Sequence, residues 1–311
     1  MTKQKSKHRL LIIGIFIGVA YGIVSHMVFG QKEILASVTY ILITPGILGT
    51  VPLMFAENEK LKSYRNRIVI PWMTVATFFL ALYLMGIEDS LSLLIMAAPF
   101  FVMGTIGALI YGTVQKNRRK RKYELLSLMF LPFLSAAIEK SIASPSEIYN
   151  VKSAIAISAE PETIWGHIVE VNPIKKEEYK VGIFNILGIP RPINASIDKK
   201  GLGGLRIGNF EGGLRFMETI VEYSEDERVA FNITIDSKTI NAQHVLNDGY
   251  FMFVGANYEL APLKNGQVKL TLFSSYRLTT NINGYAKFWG NRILFDFQER
   301  LLRVIKKRCE N

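Results

Sequence analysis

Seven side chains in the C-terminal half are of types that do acid, base or anchoring chemistry: His167, His244, Glu170, Arg215, Glu218, Tyr276 and Arg277. The four histidines are scattered and Cys309 is the single cysteine, so no metal site and no intrachain disulfide is expected. The run GLGGLRIG at 201–208 superficially suggests a nucleotide loop. A G-x-G-x-x-G pattern would need glycine at 206, where Arg206 stands, and the run joins two expected strands. It reads as a turn with close backbone approach, and no cofactor is expected. Leu214, Phe216 and Glu218 fall on one face of an expected strand, with Arg215 opposite. Glu218 then either anchors the polar end of a ligand or joins a rim ion pair. Tyr276 shares a strand face with Leu270 and Leu272 and offers one oriented hydroxyl. His167 and His244 read more simply as surface or core histidines.

The elements that position these residues follow from a composition split in two. The chain has 311 residues, a net charge of +11 and a mean hydropathy of +0.21. Residues 1–138 carry +9 of that charge and residues 139–311 carry +2. The excess lies with the apolar half, which is the pattern of a membrane protein with basic loops and not of a nucleic-acid-binding domain. No nucleic-acid partner is expected.

Residues 10–29, 34–55, 68–87 and 91–114 are apolar runs of about 20 residues or more without Asp, Glu, Lys or Arg. Helices of that length match the roughly 30 Å hydrocarbon core. The first lacks a small-x-small cleavage site and reads as an uncleaved span. Four Lys or Arg precede it, four lie in the 56–67 loop and six in 116–122, which places both ends of a four-helix unit in the cytoplasm of a plasma (inner) membrane. Residues 123–138 are apolar but short and interrupted by Pro132. As a fifth span they carry the second half out of the cytoplasm; as an interfacial helix they leave it inside. His26 is the one ionisable side chain within a run. Gly104, Gly107 and Ala108 read as close-packing positions.

A Ser/Pro/Glu-containing linker at 139–150 leads to an extended segment, 151–158, and a helix that Ser158 or Glu160 starts, with Pro161 in its first turn, and that runs to about Val171. A short helical piece is expected at 174–179. Strands are expected at 193–199, 204–210, 214–223, 228–236, 250–260 and 268–279, divided by Gly- and Asn-containing turns. Asn265-Gly266 is the clearest hairpin signal. Residues 237–249 form a polar connection that reads as a lid. Trp289, Ile293, Phe297, Leu301 and Val304 recur at helical spacing on a long last helix, 283–309.

The opening strand with ISAEPETIWGHI (157–168), then GNFEGGLRFMETI (208–220), SSYRLTT (274–280) and the final amphipathic helix resemble the START-like or SRPBCC superfamily over about 160 residues. That resemblance implies an α+β helix-grip fold at 151–311: a curved antiparallel sheet around the long last helix, enclosing an apolar cavity. Members bind lipids, sterols, polyketides or plant hormones, and a minority are cyclases or dehydratases. No universal catalytic residue transfers. Trp165, Phe216, Glu218, Phe231, Phe253, Tyr258, Tyr276, Trp289 and Phe297 are the expected wall or core of such a cavity. The expectation is a membrane-anchored domain binding a hydrophobic small molecule or lipid. An acid/base enzyme using Glu218, His167 or Tyr276, and a scaffold whose cavity is filled by its own side chains, are the alternatives.

Overall fold

Apolar runs become helices in the first part of the chain, and alternating segments become strands in the second. A computed structural model describes residues 2–29, 37–56, 58–116, 127–236 and 249–311. The expected lid at 237–249 and His244 therefore lie outside the described residues, Gly249 apart. The chain divides into two units, Met1–Ser144 with Thr280–Ile282, and Pro145–Thr279 with Asn283–Asn311.

Unit 1 contains α1 (Thr2–Phe29), a π-helical turn (Thr39–Ile43) running into α2 (Thr44–Met54), α3 (Asn58–Lys62), α4 (Tyr64–Leu84), α5 (Ser90–Lys116) and α6 (Leu131–Glu139). Among the described residues, three helical stretches are long and apolar enough to cross a membrane: Arg9–Phe29, Tyr64–Leu84 and Ser90–Gln115. Four or five spans, the number expected, are not shown among those residues. Within its described part, the run at 34–55 yields an apolar helix over Thr39–Met54, about 24 Å at 1.5 Å per residue. The run at 123–138 yields the nine-residue α6 within its described part.

Glycines set how closely these helices approach. A Cβ on Gly49 would lie 2.2 Å from the Gly104 carbonyl oxygen, and one on Gly107 would lie 2.1 Å from that of Gly46. α2 and α5 thus touch backbone to backbone, as small residues permit. On α1, Gly14, Gly18 and Gly22 recur every fourth position; they meet Phe55 and Pro52, Thr74, and Phe78 respectively. The start of the π-helical turn is capped from far along the chain. The Glu139 carboxylate accepts bonds from Ser37 Oγ (2.7 Å), Val38 N (2.7 Å), Thr39 N (3.0 Å) and Asn281 Nδ2 (2.9 Å). Burial alone would raise the Glu139 pKa, but these bonds outweigh it and hold it below the usual value.

Unit 2 is a seven-stranded antiparallel sheet in the order β1-β7-β6-β5-β4-β3-β2. Its strands are β1 (Ser146–Ile157), β2 (Pro192–Ile197), β3 (Leu205–Phe210), β4 (Arg215–Ser224), β5 (Arg228–Ile235), β6 (Phe251–Pro262) and β7 (Val268–Thr279). β1 begins at Ser146, so the second half of the expected linker is strand. Helix α7 (Pro161–Val169) starts at an extended Glu160, the second of the two expected starts, with Pro161 in its first turn, and stops two residues early. The short helical piece is α8 (Ile183–Ile186), later than expected, while 176–178 is a turn. The Asn265-Gly266 hairpin closes with Gly266 at φ +77°. The 201–208 run is the β2–β3 turn at 201–204 followed by the first residues of β3. A Cβ on Gly204 would lie 1.9 Å from the Lys199 oxygen, so this glycine serves backbone approach, while Gly201 and Gly203 supply positive φ.

The last helix, α9 (Asn283–Glu310), turns Leu294, Leu301, Leu302, Val304 and Ile305 into the core. Its C-terminal turn is tied down by Arg308, whose guanidinium bonds both Glu178 carboxylate oxygens (2.9 Å each) and the carbonyls of Asn172 (2.9 Å) and Pro173 (2.8 Å). The Arg308 bonds hold the Glu178 pKa down at about 2. A depressed carboxylate stabilises the fold above its unfolded pKa and loses that contribution as pH falls toward its folded one. Glu178→Gln is therefore expected to cost about 1 kcal/mol near neutral pH and close to nothing near pH 2. Urea unfolding at the two pH values measures it; an equal cost at both would remove the charge from the explanation.

Candidate functional site

Strand alternation and register bring the site residues onto one inner face. Arg206 pairs across from Glu218, and Gly208 across from Phe216. Glu218 pairs with Ile233, and Ile220 with Phe231. Gly255 lies against β5, where a Cβ would sit 2.5 Å from the Phe231 oxygen, and the β6–β7 register shifts between Phe253 and Gly255. That bulge turns Phe253 inward beside Tyr276 while Tyr258 also faces inward beside Leu272.

Two groupings result. The first is a chain of aromatic rings between the sheet and α9. Phe297 on α9 lies 6.1 Å from Phe210, Phe210 lies 4.7 Å from Phe216, and Phe216 lies 4.8 Å from Phe253. Phe253 then lies 5.1 Å from Phe251, which stacks on Tyr276 at 4.9 Å. Tyr276 is wholly buried, whereas Phe210, Phe251, Phe253 and Phe297 are only partly so. The Tyr276 hydroxyl donates to Asn291 Oδ1 at 2.6 Å, and burial pushes its pKa up to about 12.

The second grouping is polar and sealed. Arg206 donates through Nη1 to Glu218 and through Nε to the Val169 carbonyl at 3.0 Å. Its guanidinium carbon stands 5.2 Å from the Phe231 ring centre. Burial would lower the guanidinium pKa, but the Glu218 carboxylate more than offsets this and raises it. Tyr258 adjoins the same pair, and burial raises its pKa to about 12. Gly208 leaves room for this arrangement, since a Cβ there would lie 3.1 Å from Glu218 Oε1.

Glu218 is thus neither a free cavity carboxylate nor half of a rim pair; it is half of a buried pair. Arg215, on the outer face, stands 3.8 Å from Asp236 instead. Phe231 and Tyr258 belong to the Arg206 grouping, and Phe216, Phe253, Tyr276 and Phe297 to the ring chain. Trp165 is buried elsewhere in the core, with its indole nitrogen 3.4 Å from the Tyr223 hydroxyl. Trp289 packs edge-on to the exposed Phe288. His167 is half-buried on α7, its pKa lowered by burial and then by the Arg308 charge; Glu170 is exposed. Arg206, Phe210 and Phe251 were not anticipated. The signal for Arg206 was its place in LRIGNF, two residues before Gly208 on the alternation that also buries Phe210.

Next to Phe297 on α9, Gln298 is wholly buried and donates to Val151 O (3.2 Å) and Ser274 Oγ (2.8 Å). Gln298 Oε1 and the nearby Ser153 Oγ are buried without a hydrogen-bond partner among the described residues. Among those residues no group of three or more His, Cys, Asp and Glu could hold a metal ion.

Several solved structures are similar to about half of the chain. A START superfamily protein from Mycobacterium smegmatis matches at a TM-score of 0.36 and 13% identity, over 52% of this chain and 97% of its own. CV1439 from Chromobacterium violaceum matches at 0.34 and 13%, over 52% and 97%. The Aha1 dimer from Colwellia psychrerythraea matches at 0.30 and 13%, over 52% and 96%. No family model and no curated protein matches the chain. The strand order and the long C-terminal helix themselves identify unit 2 as an α+β helix-grip fold.

Proposed function

We propose that the chain is a membrane-anchored binding protein that holds a hydrophobic small molecule, lipid-like or isoprenoid-like, between the sheet and α9 of unit 2. The ring chain from Phe297 to Tyr276 carries this reading, because four of its rings stay partly exposed on an inner face. Small-molecule sites combine such apolar walls with a few polar groups. Gln298 Oε1 and Ser153 Oγ are buried polar atoms of the kind that a ligand's polar end or an ordered water satisfies. Three helices of spanning length supply the anchor. Anchoring raises the effective concentration of a ligand that resides in the bilayer. The basic segments put the N-terminus in the cytoplasm in this reading.

The acid/base alternative is disfavoured by two engaged side chains. Glu218 is held by Arg206, and the Tyr276 hydroxyl by Asn291. Photolabelling of the full chain in detergent with a diazirine-bearing palmitate tests the proposal. Adducts are expected on β3, β4, β6 and α9 around Phe210, Phe216, Phe253 and Phe297, and excess unlabelled palmitate should remove at least half of them. Adducts confined to the three long apolar helices would overturn it.

A further inference from the structure

Unit 1 brings three segments together around one imidazole. His26, near the end of α1, is wholly buried. Its Nδ1 stands 2.6 Å from the hydroxyl of Tyr40, itself wholly buried in the π-helical turn. Its Nε2 stands 3.1 Å from Oε1 of Glu88, in the turn between α4 and α5, whose side chain is 5% exposed. The rings of Phe78 and Tyr40 close over the imidazole at 6.3 and 5.7 Å. π-Helical turns recur at functional positions, and ionisable groups inside an apolar helical unit are rare and expensive.

The chemistry of the pair is constrained by burial. An unpaired carboxylate removed from water costs several kcal/mol, so Glu88 needs a proton or a cation beside it. One proton satisfies both residues, as imidazolium with carboxylate or as imidazole with carboxylic acid, and both forms are neutral overall. Loss of that proton to water leaves a buried anion; gain of a second leaves a buried cation. The other titratable groups nearby are Tyr21, Asp89 and Glu139, and each makes a hydrogen bond of its own, although Asp89 Oδ2 is buried without a partner among the described residues. From α1, the Tyr21 hydroxyl donates to the Met129 carbonyl at 3.0 Å. From the α4–α5 turn, Asp89 Oδ1 accepts from Ser92 N at 2.8 Å. From α6, Glu139 accepts the amides of Val38 and Thr39 beside Tyr40. Water has a short way in, since Glu88 follows closely on the exposed Met85 and Gly86.

The geometry points to a proton-binding site in the membrane unit: His26 and Glu88 share one proton, Tyr40 is hydrogen-bonded to the imidazole, and the packing of α1, the π-helical turn and the α4–α5 turn depends on that proton. This inference is independent of the ligand proposed for unit 2.

The test is nuclear magnetic resonance of the full chain labelled with 15N-histidine, in lipid nanodiscs. The chain has four histidines, and His26→Gln assigns the resonance in question. At one fixed pH the 15N shifts of the two His26 ring nitrogens should differ between the wild type and Glu88→Gln, because the carboxylate and the amide share the imidazole proton differently. His26→Phe alone should lower the melting temperature of unit 1, since it leaves Glu88 buried without its partner, and the doubly apolar variant His26→Phe/Glu88→Leu, which keeps the site filled without charge, should recover most of that loss. His26 signals that are the same in Glu88→Gln would overturn the site. So would a double variant no more stable than His26→Phe alone.

Discussion

Replacing Arg206 with methionine is expected to destabilise unit 2 by about 3–5 kcal/mol, because it leaves Glu218 as a buried carboxylate without its cation. The two side chains are 6% and 9% exposed, so water cannot take over the vacated role. The same change frees the Val169 carbonyl of a donor and removes a cation from the Phe231 face. The double variant Arg206→Met/Glu218→Leu is expected to recover most of the loss, since a buried ion pair and an apolar replacement of similar volume are often close in energy. Denaturant unfolding followed by tryptophan fluorescence reads both, with Trp165 buried in the same core. A single variant no less stable than the double would mean that water reaches the pair.

Gly49→Leu is expected to abolish the packing of unit 1. The first side-chain atom alone would lie 2.2 Å from the Gly104 oxygen and 2.7 Å from its Cα, so α2 and α5 must separate before any leucine fits. Overpacking a well-filled interior usually costs about 1–3 kcal/mol. Here backbone rather than a flexible side chain is in the way, so the cost should reach the top of that range or beyond. Size-exclusion chromatography in detergent should show aggregated in place of monodisperse protein. Gly86→Leu provides the contrast: nothing lies within 4 Å of its Cβ, and its penalty is confined to a backbone at φ +65°. Equal behaviour of the two variants would show that the α2–α5 contact does not limit the fold.

The strands were legible because alternation is a local signal. Val229, Phe231 and Ile233 are buried, while Asn232 and Thr234 are exposed, as period two requires. Parity failed where the chain departs from that period. Phe253 and Tyr258 are five residues apart and belong to opposite faces by simple alternation, yet both face inward because β6 bulges before Gly255. The cause is a contact with the Phe231 carbonyl on another strand, which no local pattern encodes. Arg206 was passed over for a related reason. A cation at an inward position looks like an error until its partner twelve residues on is placed opposite it. Hydropathy marks the second apolar run by counting residues and does not show what caps the helix within it. Its first turn is fixed by Glu139, about a hundred residues away in sequence. The ring chain was half legible: aromatic residue types marked its members, but only register shows that Phe210 and Phe251 join it.

Thr280–Ile282 belong to unit 1 although they lie between the last strand and the last helix of unit 2. Asn281 donates to the same Glu139 carboxylate that holds Ser37, Val38 and Thr39. During synthesis, therefore, the first helices leave the ribosome long before the residue that completes their cap. Unit 1 receives its last hydrogen-bond donor only after every strand of the sheet has been made. The first unit is begun before the second and finished only between the sheet and α9, so a messenger cut short between the units would encode a first unit lacking one of its own pieces.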